Sequence, residues 1–62
     1  MDFTTVLCDQ FHLQPWQVNN VIQLLDEGNT IPFIARYRKE AHGTLDDQVI
    51  RELSERLDYL RN

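Results

Sequence analysis

The 62-residue sequence has one cysteine, two glycines, two prolines and no long apolar run. The single cysteine, Cys8, excludes an internal disulfide framework and favours a reducing compartment, the cytoplasm. Two isolated glycines cannot form a glycine-rich phosphate loop. Because the sequence lacks an apolar run long enough to cross a bilayer, and a basic segment followed by an apolar stretch, it predicts no membrane contact and no secretory signal. We therefore expect a small cytoplasmic domain.

Basic residues are few, and half of them lie close together. The chain has six Lys and Arg residues and ten Asp and Glu residues, which gives a net charge of −4 at pH 7. Residues 28–41 contain Arg36, Arg38 and Lys39 against the single acid Glu40, a local charge of +2. The whole chain is too acidic to coat nucleic acid by bulk electrostatics. A segment of this kind is most often ordinary solvated surface, but it can also contact phosphate.

Apolar residues recur at helical spacing along the whole chain, and no segment alternates as a strand would. The predicted helices run from about Asp2 to Phe11, from Pro15 to about Glu27, from Ile31 to about Ala41, and onward from a start at Thr44. Short connections between them favour antiparallel or steeply crossed neighbours. The sequence thus predicts one all-α domain over residues 1–62, a compact bundle of about four short helices.

The last predicted helix has a start signal but no stop signal. Thr44 and Asp47 have the spacing of a capping pair, and the acids Asp46 and Asp47 suit the positive end of a helix. The apolar stripe that follows is still running at Leu60, close to the last residue, Asn62. We therefore expect the chain to be the N-terminal piece of a longer protein.

Residues 28–30 predict a sharp corner between the second and third helices. Gly28 can adopt the left-handed conformation that ends a helix, Thr30 can cap the next helix, and Pro32 fits a first helical turn. Two helices joined by so short a turn resemble a helix-turn-helix. The early turns of the third helix are apolar, however, whereas recognition helices present polar side chains there. A tight corner inside a bundle is therefore favoured over a base-reading motif.

Helical winding separates the three basic residues that follow the corner. Arg36 and Lys39 point away from the apolar side of the third helix and are candidates for contacts with nucleic-acid phosphates. Arg38 falls within the apolar arc, where a covered guanidinium must be paired. It is either part of an internal ion pair or a contact with a ligand or another domain. The acids that could reach it from neighbouring helix ends are Asp26, Glu27, Asp46 and Asp47.

Three aromatic residues are candidates for docking a protein partner. Trp16 lies off the main apolar arc of the second helix, so it either packs under the first helix or marks a docking surface. Phe33 and Tyr37 lie in the third helix, whose apolar arc is broader than one contact requires. This width predicts that the third helix packs on two sides.

The sequence offers no convincing chemistry for catalysis or metal binding. The candidate ligands Cys8, His12 and His42 are not completed by a second Cys or His pair at zinc spacing. Adjacent carboxylates occur at predicted helix ends, where neighbouring residues diverge by about 100° around the axis. Four short helices also leave little concavity that could exclude water from a nucleophile. We therefore expect no enzyme activity, no metal and no cofactor.

Three segments closely resemble the N-terminal region of the Tex family of bacterial RNA-binding transcription accessory proteins. They are LLDEG at residues 24–28, NTIPFIARYRKE at residues 29–40, and the group Gly43, Leu45 and Asp46. The resemblance implies a cytoplasmic protein of several hundred residues. In this family a nuclease-like domain thought to be inactive, helix-hairpin-helix elements and a C-terminal OB-fold follow the helical start. The resemblance also implies that these absent domains make the main nucleic-acid contacts.

Two function hypotheses follow from the residues and the resemblance. In the preferred one, the chain is a scaffold module that positions the domains of a Tex-like protein and adds weak backbone contacts to nucleic acid through Arg36 and Lys39. Its partners would be the downstream domains of the same chain, RNA or DNA bound by the full-length protein, and the transcription machinery. In the alternative, the chain is a protein–protein interaction module without nucleic-acid contact of its own.

Overall fold

The computed structural model describes residues 3–62, and within that range it contains five α-helices and no strand. The helices, numbered in chain order, are α1 Phe3–Phe11, α2 Pro15–Asp26, α3 Ile31–Tyr37, α4 Lys39–His42 and α5 Asp47–Arg61. The predicted all-α bundle is confirmed, with the third predicted helix divided into α3 and α4. Asp2, the predicted start of the first helix, lies outside the described residues.

One apolar core lies between α1, α2, α3 and α5. Its buried side chains come from all four helices: Leu7, Val18, Val21, Leu24, Ile34, Ile50, Leu53 and Leu57. Full burial of an aliphatic side chain of this size stabilises a fold by roughly 1.5–3 kcal/mol. The α5 contribution comes from the predicted apolar stripe, because Ile50, Leu53 and Leu57 recur at steps of three and four residues on one face.

The α2–α3 corner forms at the predicted residues. Gly28 has a left-handed φ of +95°, and a Cβ there would meet no atom within 4 Å, so backbone conformation rather than crowding favours glycine. The Asn29 side chain donates to the Leu24 carbonyl at 2.9 Å, and the Thr30 hydroxyl accepts from the Phe33 N–H at 3.3 Å. The corner thus satisfies polar groups of both the helix it ends and the helix it starts.

The third predicted helix does not run continuously to Ala41. The backbone leaves helical geometry at Arg38, where φ is −124° and ψ is 41°, and α4 restarts at Lys39 as a single turn of 4 residues. A helix this short is unstable alone, since a first turn fixes several residues for one hydrogen bond. Contacts with other helices must therefore hold α4.

Two side-chain amides of α2 bind the C-terminal carbonyls of α4. Gln17 Nε2 donates to the His42 carbonyl and Asn20 Nδ2 donates to the Ala41 carbonyl, each at 2.9 Å. These carbonyls lie at a helix end, where no intrahelical N–H reaches them. The polar side of α2 therefore anchors α4 in its position after the break at Arg38.

His42 is the buried polar centre of this region. Its ring is fully buried, Nδ1 accepts from the Leu45 N–H at 2.8 Å, and Nε2 lies 3.0 Å from the Ile34 carbonyl. Because Nδ1 accepts a hydrogen bond, the ring proton belongs on Nε2, which then donates to Ile34. The neutral ring thus links α3 to the α4–α5 connection with both nitrogens satisfied.

Gly43 ends α4 in the left-handed conformation, with φ +69°. A Cβ at this position would lie 2.9 Å from Gln17 Nε2 and 3.0 Å from Trp16 Cη2. Both the conformation and the close approach of two α2 side chains therefore require glycine. The Trp16 indole lies against the end of α4 at this point.

The N-cap of α5 is Asp46 rather than the predicted Thr44. The Asp46 carboxylate accepts from the Val49 N–H at 2.9 Å, and its backbone is extended. Thr44 instead has a left-handed φ of 71°, which does not suit an N-cap. The predicted Thr44–Asp47 capping pair is therefore wrong, because the left-handed turn that ends α4 continues through Thr44.

An ion pair joins the C-terminal ends of α2 and α5. Arg61 Nη1 and Nη2 donate to the two Asp26 carboxylate oxygens at 2.8 and 3.0 Å. The hydrogen bonds from Arg61 lower the pKa of Asp26 below its ordinary value of 3.8, and the same contact raises the pKa of Arg61. Both side chains are about half exposed, so solvent screens the pair.

Arg38 is exposed, and its partner differs from the predicted ones. The guanidinium lies 3.6 Å from the Glu40 carboxylate, with the two side chains 47% and 69% exposed. Asp26, one of the predicted partners, pairs with Arg61 instead. The helical arc that placed Arg38 among apolar residues ends at Tyr37. Arg38 therefore lies at the surface and pairs with Glu40 rather than with one of the four predicted acids, because the helix on which the arc was drawn is not continuous.

Replacement of His42 should destabilise the domain strongly. His42→Leu fills the site with an apolar side chain but leaves the partly buried Leu45 N–H without its acceptor. An unsatisfied donor of this kind costs roughly 1–3 kcal/mol, so the midpoint of chemical denaturation should fall clearly. The control is the exposed His12, where His12→Asn suits the φ of 57° and should change the midpoint little. Equal effects of both replacements would contradict this role of His42.

Removal of the Arg38 side chain should change stability little. Its ion pair with Glu40 is largely exposed, and such pairs contribute about 0–1 kcal/mol. Arg38→Ala should therefore leave the melting temperature nearly unchanged in a thermal scan followed by circular dichroism. A marked fall in melting temperature would show that Arg38 holds a buried pair after all.

Neutralisation of Asp26 should make stability less sensitive to acid. Since the folded-state pKa of Asp26 lies below 3.8, the ion pair stabilises the fold above that pH and is lost as the carboxylate becomes protonated. Asp26→Asn should lower the melting temperature at neutral pH and reduce its fall between about pH 4 and pH 2. Asp9→Asn changes an exposed acid on α1 and is the matched control. Parallel pH profiles for Asp26→Asn and the unmodified chain would contradict the expectation.

Candidate nucleic-acid interface

Arg36 and Lys39 lie along the same groove. Arg36 is in the last turn of α3 and Lys39 is the first residue of α4, so the helix break separates them. Both line an open groove of about 440 Å³, named here the α3–α5 groove, whose apolar lining includes Pro32, Ala35 and Leu45. The structure therefore brings the two predicted phosphate-contact residues together on one surface.

Arg36 and Lys39 also differ from the other basic residues in their surroundings. Arg38, Arg51 and Arg61 each form an ion pair, and Arg56 donates to Gln10 and lies over the Tyr59 ring. Within residues 3–62, neither Arg36 nor Lys39 forms an ion pair. These two exposed cations are thus available to an external anion.

The opposite side of the α3–α5 groove is acidic. Asp46 and Asp47, at the start of α5, line it together with Thr44. The Asp46 carboxylate caps the helix and Asp47 lies 3.8 Å from Arg51, and both acids suit the positive end of the helix dipole. A polyanion inside the groove would meet these carboxylates, so the favourable approach is from the side of Arg36 and Lys39.

Phe33 and Tyr37 lie side by side on α3. Their ring centroids are 5.6 Å apart and their planes are inclined by 43°. Phe33 is 41% exposed and Tyr37 is 65% exposed. Arg36 follows Phe33 by three residues and therefore neighbours it on the helix surface. The aromatic pair and Arg36 thus occupy adjoining strips of α3.

Trp16 does not belong to this aromatic pair. It lies on α2, is 49% exposed and approaches Gly43 at the end of α4. In the part of the chain that the structure describes, no ring contact links it to Phe33 or Tyr37. The three predicted docking residues therefore fall into two groups, one on α2 and one on α3.

Arg38 borders a different depression, next to α2. Gln23, Glu27 and Glu40 line this depression with it. Because its guanidinium faces Glu40, Arg38 does not add to the positive charge of the α3–α5 groove. The structure thus separates Arg38 from the other two basic residues of the segment.

Within residues 3–62, no group of three or more His, Cys, Asp or Glu side chains is placed to hold a metal ion. No helix in the same range combines the length and the apolar composition needed to cross a membrane.

Sequence reasoning missed the residues that position Lys39. Gln17, Asn20 and His42 hold α4, yet the first two are only polar positions off the apolar arc of α2. Their acceptors lie 25 and 21 residues away in the chain. The sequence feature that could have indicated this role is the spacing of Gln17 and Asn20, two amides three residues apart on one face of α2. This spacing does not identify the carbonyls that they bind.

Comparison with known proteins gives consistent matches over the chain. The family described as "Tex-like protein N-terminal domain" matches residues 1–62. The chain is 54% identical over 61 residues to the transcriptional accessory protein Tex of Neisseria gonorrhoeae, which covers 98% of the chain and 8% of that protein. It is 62% identical over 45 residues to Protein tex of Bordetella pertussis, which covers 73% of the chain and 6% of that protein. The similarity to these two bacterial relatives therefore extends over most of the chain.

A similar match extends to a human protein. The chain is 43% identical over 60 residues to S1 RNA-binding domain-containing protein 1 of Homo sapiens, which covers 97% of the chain and 6% of that protein. The chain thus spans less than a tenth of the length of each of these relatives. None of the three names denotes an enzyme. Because the family match extends over all 62 residues, the chain belongs to the Tex family as a Tex-like N-terminal domain.

Proposed function

We propose that the chain is the N-terminal scaffold domain of a Tex-like RNA-binding transcription accessory protein of the cytoplasm. Its role is to position the domains that follow it and to add weak contacts to nucleic acid. Its partners are these downstream domains, RNA or DNA bound by the full-length protein, and the transcription machinery. The role is one of binding and positioning, without a catalytic step or a cofactor.

The placement of Arg36 and Lys39 carries the nucleic-acid part of this proposal. Both cations are exposed on one groove and form no ion pair within residues 3–62. The bonds from Gln17 and Asn20 to α4 hold Lys39 near α3. Cations held in place by the fold bind phosphate with less loss of conformational entropy than cations on a mobile segment.

Contacts to the nucleic-acid backbone fit α3 better than contacts to base edges in a duplex. Its first turn presents Ile31, Pro32 and Phe33, whose side chains offer no hydrogen-bond donor or acceptor to a base edge. The helix-turn-helix-like corner before it therefore serves the packing of the bundle. Phosphate contacts position a nucleic acid without reading its sequence, and two of them give low affinity.

A second function, docking of a protein partner without nucleic-acid contact, is favoured by the exposed aromatic residues. Trp16, Phe33 and Tyr37 are all at least 41% exposed, and aromatic residues are enriched at the energetic centres of protein interfaces. Arg38, exposed next to α2, is the candidate for a contact with another domain. The relatives are long enough to supply such domains in the same polypeptide.

The chain should bind single-stranded RNA and DNA weakly, and salt should weaken this binding. Fluorescence anisotropy of labelled oligonucleotides measures the dissociation constant. With two phosphate contacts, affinity should fall about sevenfold between 50 and 200 mM salt, because each contact adds about −0.7 to the logarithmic slope for single strands. If the anisotropy does not change at high micromolar concentrations of the chain, the nucleic-acid role is contradicted and protein docking is favoured.

Charge reversal tests whether the two cations carry the binding. Arg36→Glu combined with Lys39→Glu should abolish it, because two attractive charges become repulsive. Arg36→Glu and Lys39→Glu are also tested singly. The matched control for each is Arg56→Glu, which makes the same change in net charge at an exposed arginine on α5. Thermal scans verify that the variants fold. Equal losses from Arg36→Glu and Arg56→Glu would show that binding is not localised to the α3–α5 groove.

A further inference from the structure

The pair of Phe33 and Tyr37 has no role in the phosphate contacts proposed above. The two rings contact each other yet stay largely outside the apolar core. Helix geometry places both on one strip of α3, one turn apart, beside the strip that carries Arg36. Flat apolar groups and a free cation are thus presented together to the solvent.

The charges near this pair favour an anionic occupant that also carries flat rings. Among the described residues, Arg36 on α3 and Lys39 at the start of α4 are the cations of this region that form no ion pair. Nucleic acid is the polyanion whose monomers each combine a phosphate with an aromatic base. Aromatic side chains beside basic ones are the usual composition of surfaces that bind single strands.

We propose that Phe33 and Tyr37 form a base-stacking surface for single-stranded nucleic acid, with the adjoining phosphates at Arg36 and Lys39. This inference rests on the nucleic-acid contact proposed above and adds the group that is recognised, the face of a base. Every base has such a face, so the surface accepts RNA and DNA of any sequence. A duplex covers these faces by its own stacking, so its phosphates and base edges stay accessible but the faces of its bases do not.

The acidic side of the α3–α5 groove restricts the path of the strand. Asp46 and Asp47 repel phosphates that enter the groove, whereas Arg36 attracts phosphates and neighbours Phe33 on the surface of α3. The strand therefore crosses the aromatic side of α3 and does not run along the groove. A protein segment on the same surface is the competing occupant, and the experiment separates the two.

Stacking predicts that binding depends on bases as well as on phosphates. The 62-residue chain would be titrated against labelled oligouridine, oligothymidine, an abasic oligomer of equal length and a duplex. Both single strands should bind at least about fivefold more tightly than the abasic oligomer. If single strands, abasic oligomer and duplex bind equally, the stacking inference is overturned while the phosphate contacts stand.

Replacement of the rings gives an independent readout. Phe33→Leu combined with Tyr37→Leu keeps apolar side chains that favour a helix and removes both rings. It should weaken single-strand binding by about fivefold or more and leave binding of the abasic oligomer unchanged. Tyr59→Leu, at an aromatic residue of α5 that is 70% exposed, is the matched control and should have no effect.

Three further outcomes are informative. If the double leucine variant binds single strands with full affinity, the stacking inference is overturned but the proposed phosphate contacts are not. The charge-reversed variant would still test those contacts. If the double leucine variant loses binding of the abasic oligomer as well as of the single strands, the stacking inference is also overturned. The rings would then affect the placement of phosphates and not the stacking of bases. If the folded chain binds none of the oligomers, the nucleic-acid role and the stacking surface both fail, and the alternative of a protein occupant is favoured.

Discussion

The arrangement of this domain depends on the hydrogen bonds that hold α4. A helix of four residues does not persist by itself, because its single turn gives too few hydrogen bonds for the residues it orders. Gln17 and Asn20 supply donors to its last carbonyls, and His42 ties its end to α3 and to the start of the next connection. These contacts are polar and buried or partly buried, so each lost partner leaves a group that water reaches poorly.

The position of α4 decides the distribution of positive charge. In an unbroken helix, Arg38 would lie among apolar residues and would need a buried acid. With the break, Arg38 faces Glu40 at the surface, while Arg36 and Lys39 border the α3–α5 groove without an ion pair in the described range. A structural feature set by α2 amides thus determines which cations are available to an external anion.

The function proposed for the domain combines a scaffold with a weak binding module. Its relatives are more than ten times longer than the chain. Low affinity at such a site is effective when other domains of the same polypeptide hold the nucleic acid, because tethering raises the local concentration. In the proposed contact, the acids at the start of α5 disfavour phosphates inside the α3–α5 groove, which these acids line.

Local sequence signals determined α1, α2, α5, the corner at residues 28–30 and the family of the chain. Apolar periodicity and helix caps act over three or four residues, so Gly28 and Thr30 could be assigned without a structure. The position of α4 after the break at Arg38 depends on hydrogen bonds between residues 25 and 21 positions apart. The N-cap of α5 at Asp46 followed in turn from the left-handed Thr44. Only tertiary packing decided the position of α4, because helical spacing does not specify which distant carbonyl a side-chain amide will bind.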